Sequence, residues 1–181
     1  MAEPRLAPKP LDEWDDETRA LLGDRTLNIF ATLAHHPKLL KRWIVFGNHV
    51  LAKSTLPARD RELLILRTGW NCRAPYEWGQ HVVIARGAGI TDDEIARVAA
   101  GPEAPGWDAF DATLLRAADE LHGDDSLTDA TYAALTARYD AQQLLDVVFT
   151  VGQYHTVSMA LNALRVQRDD GVTGVPMPDR D

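Results

Sequence analysis

Glu77 and His81 stand four residues apart in the segment Tyr76-Glu77-Trp78-Gly79-Gln80-His81. On a helix that interval stacks both side chains on one face. The same face continues through Ile84, Ala85 and Ala88, so two ionisable groups head an otherwise apolar stripe. A carboxylate beside an imidazole orients the ring, sets its tautomer and raises its basicity, a combination suited to moving protons. A glutamate held among apolar groups can itself act as acid or base. Judged on spacing alone, the plainer reading is a surface pair contributing a few tenths of a kcal/mol to its helix.

Other chemistry-bearing residues are scattered. Trp70, Tyr76 and Trp78 are candidates for lining an aromatic substrate pocket, although aromatics at helical spacing more often form core. Tyr154-His155 falls in a long apolar segment. His155 is read there as a core or interface histidine, with a positioning role facing His81 as the alternative. His35-His36 precede Pro37 and read as capping or interface residues, while His49 and His122 read as ordinary surface or helix-end histidines. Cys72 is the single cysteine, which excludes an intrachain disulfide and a two-thiol redox cycle within one chain.

The elements that must position these groups are helical. Asp24 reads as the cap of a helix over residues 25–34, and Pro37 opens another toward Leu51. A helix follows Pro57 and holds Leu63 to Leu66 and Trp70, and Asn71 to Pro75 reads as a break. The helix carrying Glu77 and His81 runs from Pro75 to about Arg86 and stops at Gly87 or Gly89. Thr91-Asp92-Asp93-Glu94 is a capping-box signature, and Gly101 to Gly106 is the clearest internal loop. Trp107 or Asp108 to Leu121 is helical, and Thr128 caps a helix to about Arg138. The last helix, from Ala141 to about Arg168, has so little polar face that it belongs at the centre of the fold or at a subunit interface. No segment carries a sustained period-two alternation, so the fold class is all-α.

The segment Leu56-Pro57-Ala58-Arg59-Asp60-Arg61-Glu62-Leu63, followed by Trp70, Tyr76 to His81 and Ala88-Gly89-Ile90-Thr91, resembles the carboxymuconolactone decarboxylase and alkylhydroperoxidase-D-like superfamily. Phe30 to Leu40 is similar to that family's N-terminal helix pair, so the likeness reaches from about Leu27 to Leu164. The peroxidase branch has a glutamate, two cysteines spaced C-x-x-C, and a histidine four residues after the second cysteine. By position the glutamate is Glu62 and the histidine His81, while the cysteine positions hold Ala74 and Glu77. Cys72 lies two residues upstream of the first cysteine position, out of register with it.

The resemblance therefore implies the branch without the thiol pair. Its chemistry is acid–base work on a small lactone, enol or carboxylic acid, by decarboxylation or related proton transfer. His81 would deliver the proton, Glu77 would orient it, Glu62 would join as a relay, and a nearby arginine would hold an anion. The plainer reading of Glu62 is a surface carboxylate paired with Arg59 or Arg61. The alternatives are a thiol-dependent peroxidase or antioxidant protein using Cys72, and a non-catalytic oligomeric binding module.

The resemblance also implies a single-domain helical bundle of the alkylhydroperoxidase-D-like type that self-associates, as homotrimer or homohexamer ahead of dimer. The corresponding division is an N-terminal extension with a short helix over 1–23, the helical domain over 24–168, and a polar tail over 169–181.

Composition sets the outer limits. With 181 residues, 45% hydrophobic and 25% charged, the chain suits one globular domain with a substantial core. Nineteen basic against 27 acidic residues give a net charge of −8, which disfavours a general nucleic-acid binder. No run approaches the roughly 20 apolar residues needed to span a bilayer, and Met1 to Pro10 reads as neither signal peptide nor anchor. A cytoplasmic location is the resulting expectation. No phosphate loop, nucleophile elbow or zinc spacing is present, so neither a cofactor nor a metal is expected.

Overall fold

A computed structural model describes residues 3–169 and 177. Among these residues every regular element is helical and none is a strand. A 3-10 turn (Leu11–Glu13) leads into α1 (Asp16–Leu22), α2 (Asn28–Leu33) and α3 (Pro37–Asn48), and a π-helical turn (His49–Lys53) extends α3. Then follow α4 (Ala58–Asn71), α5 (Pro75–Gly87), α6 (Asp92–Ala100), α7 (Ala109–Gly123), α8 (Asp129–Thr136) and α9 (Ala141–Leu164). No described helix is long and apolar enough to cross a membrane.

The helix ends follow their side chains. Asp15, Asp108, Thr128 and Asp140 each accept from backbone N–H groups of the first turn they precede. Thr91 and Glu94 form the reciprocal capping box expected from their spacing. Pro37 sits in the first turn of α3, with the His36 ring accepting from Leu39 N–H at 3.3 Å. Two boundaries differ from expectation. Asp24 caps nothing: α2 begins at Asn28, after Leu27, without a side-chain cap. The last helix ends at Leu164, because Arg165 takes a left-handed conformation (φ 53°) that turns the chain back across α9.

The centre of the bundle is α4 rather than α9. It packs against α5, α7 and α9, and Asp60, Glu62, Leu63 to Leu66, Thr68, Gly69 and Trp70 are all buried. A helix buried on every side explains why this segment is apolar without a single clean stripe. One side of α9 is buried through Val147, Val151, Tyr154, Val157 and Leu161. Leu145, Val148, Phe149 and Met159 on the same helix are exposed.

The turn between α4 and α5 sets how the two helices face each other. Cys72 ends α4, Arg73 is left-handed (φ 52°), Ala74 N–H donates to Gly69 O at 3.0 Å, and Pro75 opens α5. This tight reversal lays the first two turns of α5 along the middle of α4, bringing residues 77 and 81 opposite residue 62. Of the tail expected over 169–181, only Asp169 and Met177 are described; the rest lies outside the described residues.

Candidate active site

His81 is held between two carboxylates. Its Nδ1 lies 2.7 Å from Glu62 Oε2 and its Nε2 lies 3.0 Å from Glu77 Oε1. All three side chains are buried, Glu62 completely, so this is no solvated surface pair. Arg61 Nε donates to the other Glu62 oxygen at 3.1 Å. Glu62 thus has the arginine partner of the plainer reading, but from inside the core.

Burial by itself pushes the His81 pKa down. The charges and hydrogen bonds of Glu62 and Glu77 outweigh that and raise it to about 9. The ring is therefore an imidazolium near neutral pH, donating from both nitrogens. The Tyr154 ring packs edge-on against it, with centroids 4.8 Å apart.

Glu77 and His81 face a half-open cavity of about 140 Å³ lined mainly by α2, α3, α5 and α9. Phe30, Trp43, Ile44, Leu51 and Val157 give it apolar walls. Asn48, Gln80, Gln153 and Tyr154 add polar atoms beside the carboxylate–imidazole pair. Glu62 is not part of the lining; it contacts the ring from the far side. No arginine or lysine lines the cavity among the described residues, so the arginine expected to hold an anion is not in place there. Arg61 instead acts on Glu62.

One wall is tied down by the chain following α9. Asp169 accepts from Asn28 N–H at 2.7 Å, from the Tyr76 hydroxyl at 2.5 Å and from Gln80 Nε2 at 2.8 Å. Ile29 N–H donates to the same Tyr76 oxygen at 3.3 Å. Burial, reinforced by the Asp169 carboxylate, pushes the Tyr76 phenol well above its ordinary range, so it remains a neutral donor.

The structure brings Glu62, Glu77, His81 and Tyr76 to this region and leaves other candidates elsewhere. Trp70 and Trp78 do not line the cavity. They pack on each other, centroids 5.9 Å apart, within the large core formed by α4, α5, α6, α7 and α9. Trp78 follows Glu77 directly, and one helical step of about 100° turns its side chain off the cavity face of α5 into the core. His155 likewise does not face His81. Its ring lies against His122, centroids 4.9 Å apart, and Cys72 Sγ is 3.8 Å from His122 Nδ1. Cys72 is thus associated with His122, outside the cavity lining; His122 stands at a helix end, in the last turn of α7, and is partly buried.

Several cavity residues carried no assigned role in the sequence. Gln80 stood inside the motif, and Gln153 was legible as a lone amide in the apolar run of α9. Trp43 and Asn48 sit on a helix of ordinary amphipathic pattern, and Asp169 gave no signal apart from its charge.

Comparison with known proteins follows the same lines. Residues 37–120 match the model of the Carboxymuconolactone decarboxylase family, a narrower span than Leu27 to Leu164. No functionally curated protein matches the chain. Among solved structures, an uncharacterized peroxidase-related protein with an alkylhydroperoxidase AhpD core, from Ralstonia eutropha JMP134, superposes with a TM-score of 0.81 at 18% identity, covering 97% of this chain and 100% of that one. An uncharacterized peroxidase-related protein from Silicibacter sp. TM1040 gives a TM-score of 0.81 at 13% identity, covering 96% and 98%. A cysteine-to-alanine variant of the debrominase Bmp8, in complex with 2,3,4-tribromopyrrole, gives 0.69 at 12% identity, covering 92% of each chain. At such identities the structural likeness speaks for the fold, and the matched segment contains Glu62, Glu77 and His81. Over residues 37–120 the chain is thus similar to the Carboxymuconolactone decarboxylase family, and its fold is that of the alkylhydroperoxidase AhpD core.

Proposed function

We propose that this protein is a cofactor-free acid–base enzyme that transfers protons on a small, uncharged single-ring substrate such as a lactone or enol. The observation that carries the reading is that Glu77 and His81, though buried, both reach the cavity while Glu62 holds the ring from behind. Linking the pair to a cavity rather than sealing it in packed core favours chemistry over a purely structural cluster. The size supports a compact ligand, since a cavity of roughly 150 Å³ accepts benzene. The match to the Carboxymuconolactone decarboxylase family over residues 37–120 and a structural neighbour in complex with a halogenated pyrrole are consistent with a small ring.

Charge narrows the substrate. Among the described residues, the cavity presents the Glu77 carboxylate and no cationic side chain beyond the imidazolium already shared by two carboxylates. A carboxylate substrate would meet repulsion there, so neutral lactones and enols rank ahead of carboxylic acids. In the proposed cycle Glu77 takes a proton from an acidic C–H of the substrate, and the electron pair moves onto the adjoining oxygen. His81 Nε2–H stabilises that oxyanion, and the Glu77 carboxylic acid returns the proton to another carbon, which completes an isomerisation.

Exposed Leu145, Val148 and Phe149 on α9, with Phe46 packing edge-on against Phe149, form an apolar surface consistent with the homotrimer or homohexamer expected of this superfamily. Size-exclusion chromatography with light scattering tests that assembly.

The catalytic reading is tested by nuclear magnetic resonance in deuterated water with a panel of small lactones, enols and phenols. The expected result is deuterium incorporation into one ring compound by the wild-type protein, reduced about 100- to 10,000-fold in Glu77→Gln and His81→Gln. Exchange or turnover that survives both substitutions would overturn the assignment.

A further inference from the structure

Cys72, His122 and His155 lie far apart in the sequence but meet in the fold outside the cavity described above. Cys72 caps the C-terminus of α4, His122 is in the last turn of α7, and His155 is in the second half of α9. One ligand-capable atom from each lies within 4.8 Å of the others, and the Cys72 Sγ to His122 Nδ1 separation is 3.8 Å. We propose that these three side chains form a binding site for a single zinc ion.

The donor set fits this metal. A thiolate with two imidazoles is the borderline-soft sulfur and nitrogen combination that zinc accepts, and it offers nothing to calcium or magnesium, which require oxygen ligands. With Zn–S near 2.3 Å and Zn–N near 2.0–2.1 Å, tetrahedral geometry places ligand atoms roughly 3.3–3.6 Å apart. The Cys72–His122 separation is already close to that value. The remaining contraction is within reach of side-chain rotation, given that the atoms lie no more than 4.8 Å apart.

The backbone around the cluster is well held. Cys72 N–H donates to Thr68 O at 2.9 Å, and Asn162 Nδ2 donates to Cys72 O at 2.8 Å, linking the end of α4 to α9. Partial burial of all three residues leaves the cluster reachable by an ion while limiting competition from bulk water.

Binding exchanges the Cys72 thiol proton for the metal and releases that proton to solvent. Three protein ligands leave a fourth tetrahedral position for water. The ion would cross-link α4, α7 and α9, the helices that surround the main core. Tyr154 and His155 are neighbours on α9 whose side chains face different clusters, one against His81 and the other against His122. The zinc site is therefore separate from the proposed catalytic pair, and its test does not depend on any enzymatic activity.

The test is cobalt(II) titration of the chelator-stripped, full-length protein, followed by zinc competition. The expected result is one cobalt per chain, with a near-ultraviolet thiolate-to-cobalt charge-transfer band and the intense visible bands of tetrahedral cobalt. Zinc should displace it with a Kd of about 1 μM or tighter. Cys72→Ser should abolish the charge-transfer band, and His122→Gln and His155→Gln should each weaken binding at least about tenfold. Thermal melts of the apo variants establish that they are folded, and zinc should raise the Tm of the wild type but not of Cys72→Ser. Absence of the charge-transfer band in the wild-type protein, or zinc affinity unchanged in folded Cys72→Ser and His155→Gln, would overturn the site.

Discussion

Glu62, which has no solvent exposure of its own, accepts a hydrogen bond from His81 Nδ1 at 2.7 Å. An anion buried behind the ring makes the imidazolium the stable form and leaves the opposite nitrogen directed at Glu77 on the cavity side. Replacing Glu62 by glutamine removes the charge while keeping the shape. The His81 pKa should then fall from about 9 by at least about one unit, and the alkaline limit of activity should move acidward with it. Titration of the His81 ring by nuclear magnetic resonance, alongside a pH–rate profile, measures both. An unchanged His81 pKa in Glu62→Gln would contradict this role.

The same ring ties stability to pH. Folded His81 keeps its proton up to about pH 9, whereas the unfolded histidine releases it near 6.5. Between those values the folded state binds more protons, so the contribution is complete below about 6.5 and is lost as pH rises through about 9. It amounts to on the order of 3 kcal/mol. Urea unfolding at several pH values across this window should show a declining midpoint, and the decline should flatten in Glu62→Gln.

Gly47 lies in the cavity wall on α3, where an added Cβ would sit 3.6 Å from Gln153 Nε2 and 3.8 Å from the Trp43 ring. These are ordinary contacts, so Gly47→Ala should fold and gain up to about 1 kcal/mol from helix propensity, raising Tm by roughly 2–4 °C. The methyl also occupies space at the cavity. KM for a ring substrate should rise by about tenfold or less, with little change in kcat. Calorimetry and steady-state kinetics separate the two effects.

Asp169 joins Asn28, Tyr76 and Gln80 through three hydrogen bonds. Asp169→Ala leaves the partly buried Tyr76 hydroxyl and the Asn28 amide short of an acceptor, at a cost of about 1–3 kcal/mol. Hydrogen exchange should accelerate at Asn28 and Ile29, which border the cavity, more than in the α4 core. Uniform acceleration across the chain would show instead that Asp169 acts on global stability alone.

The helices were legible because their signals are local. Capping at Thr91 and Thr128, proline at the start of α3 and α5, and the break before Pro75 each depend on residues a few positions apart. The i,i+4 relation of Glu77 and His81 is of the same kind, since a helix alone sets it. Asp24 misled because it lies in the turn that ends α1, three residues before Leu27, from which the next helix starts. The expected reach of α9 to Arg168 failed because the left-handed turn at Arg165 is held by contacts distant in sequence, including Arg5 N–H to Leu164 O.

What the sequence determined by itself is therefore a helical chain, a carboxylate four residues before a histidine on one helix face, and the absence of a second thiol. The tertiary structure decided whether that face meets solvent, core or cavity. It set Glu62 against the far nitrogen of His81, turned Trp70 and Trp78 into the core, and brought Cys72, His122 and His155 together from three helices. Helix spacing dictates the direction of a side chain relative to its own axis, but the rotation and crossing of packed helices arise from the whole core at once. That collective packing is what turned a surface-like pair into a buried imidazolium at the edge of a ring-sized cavity.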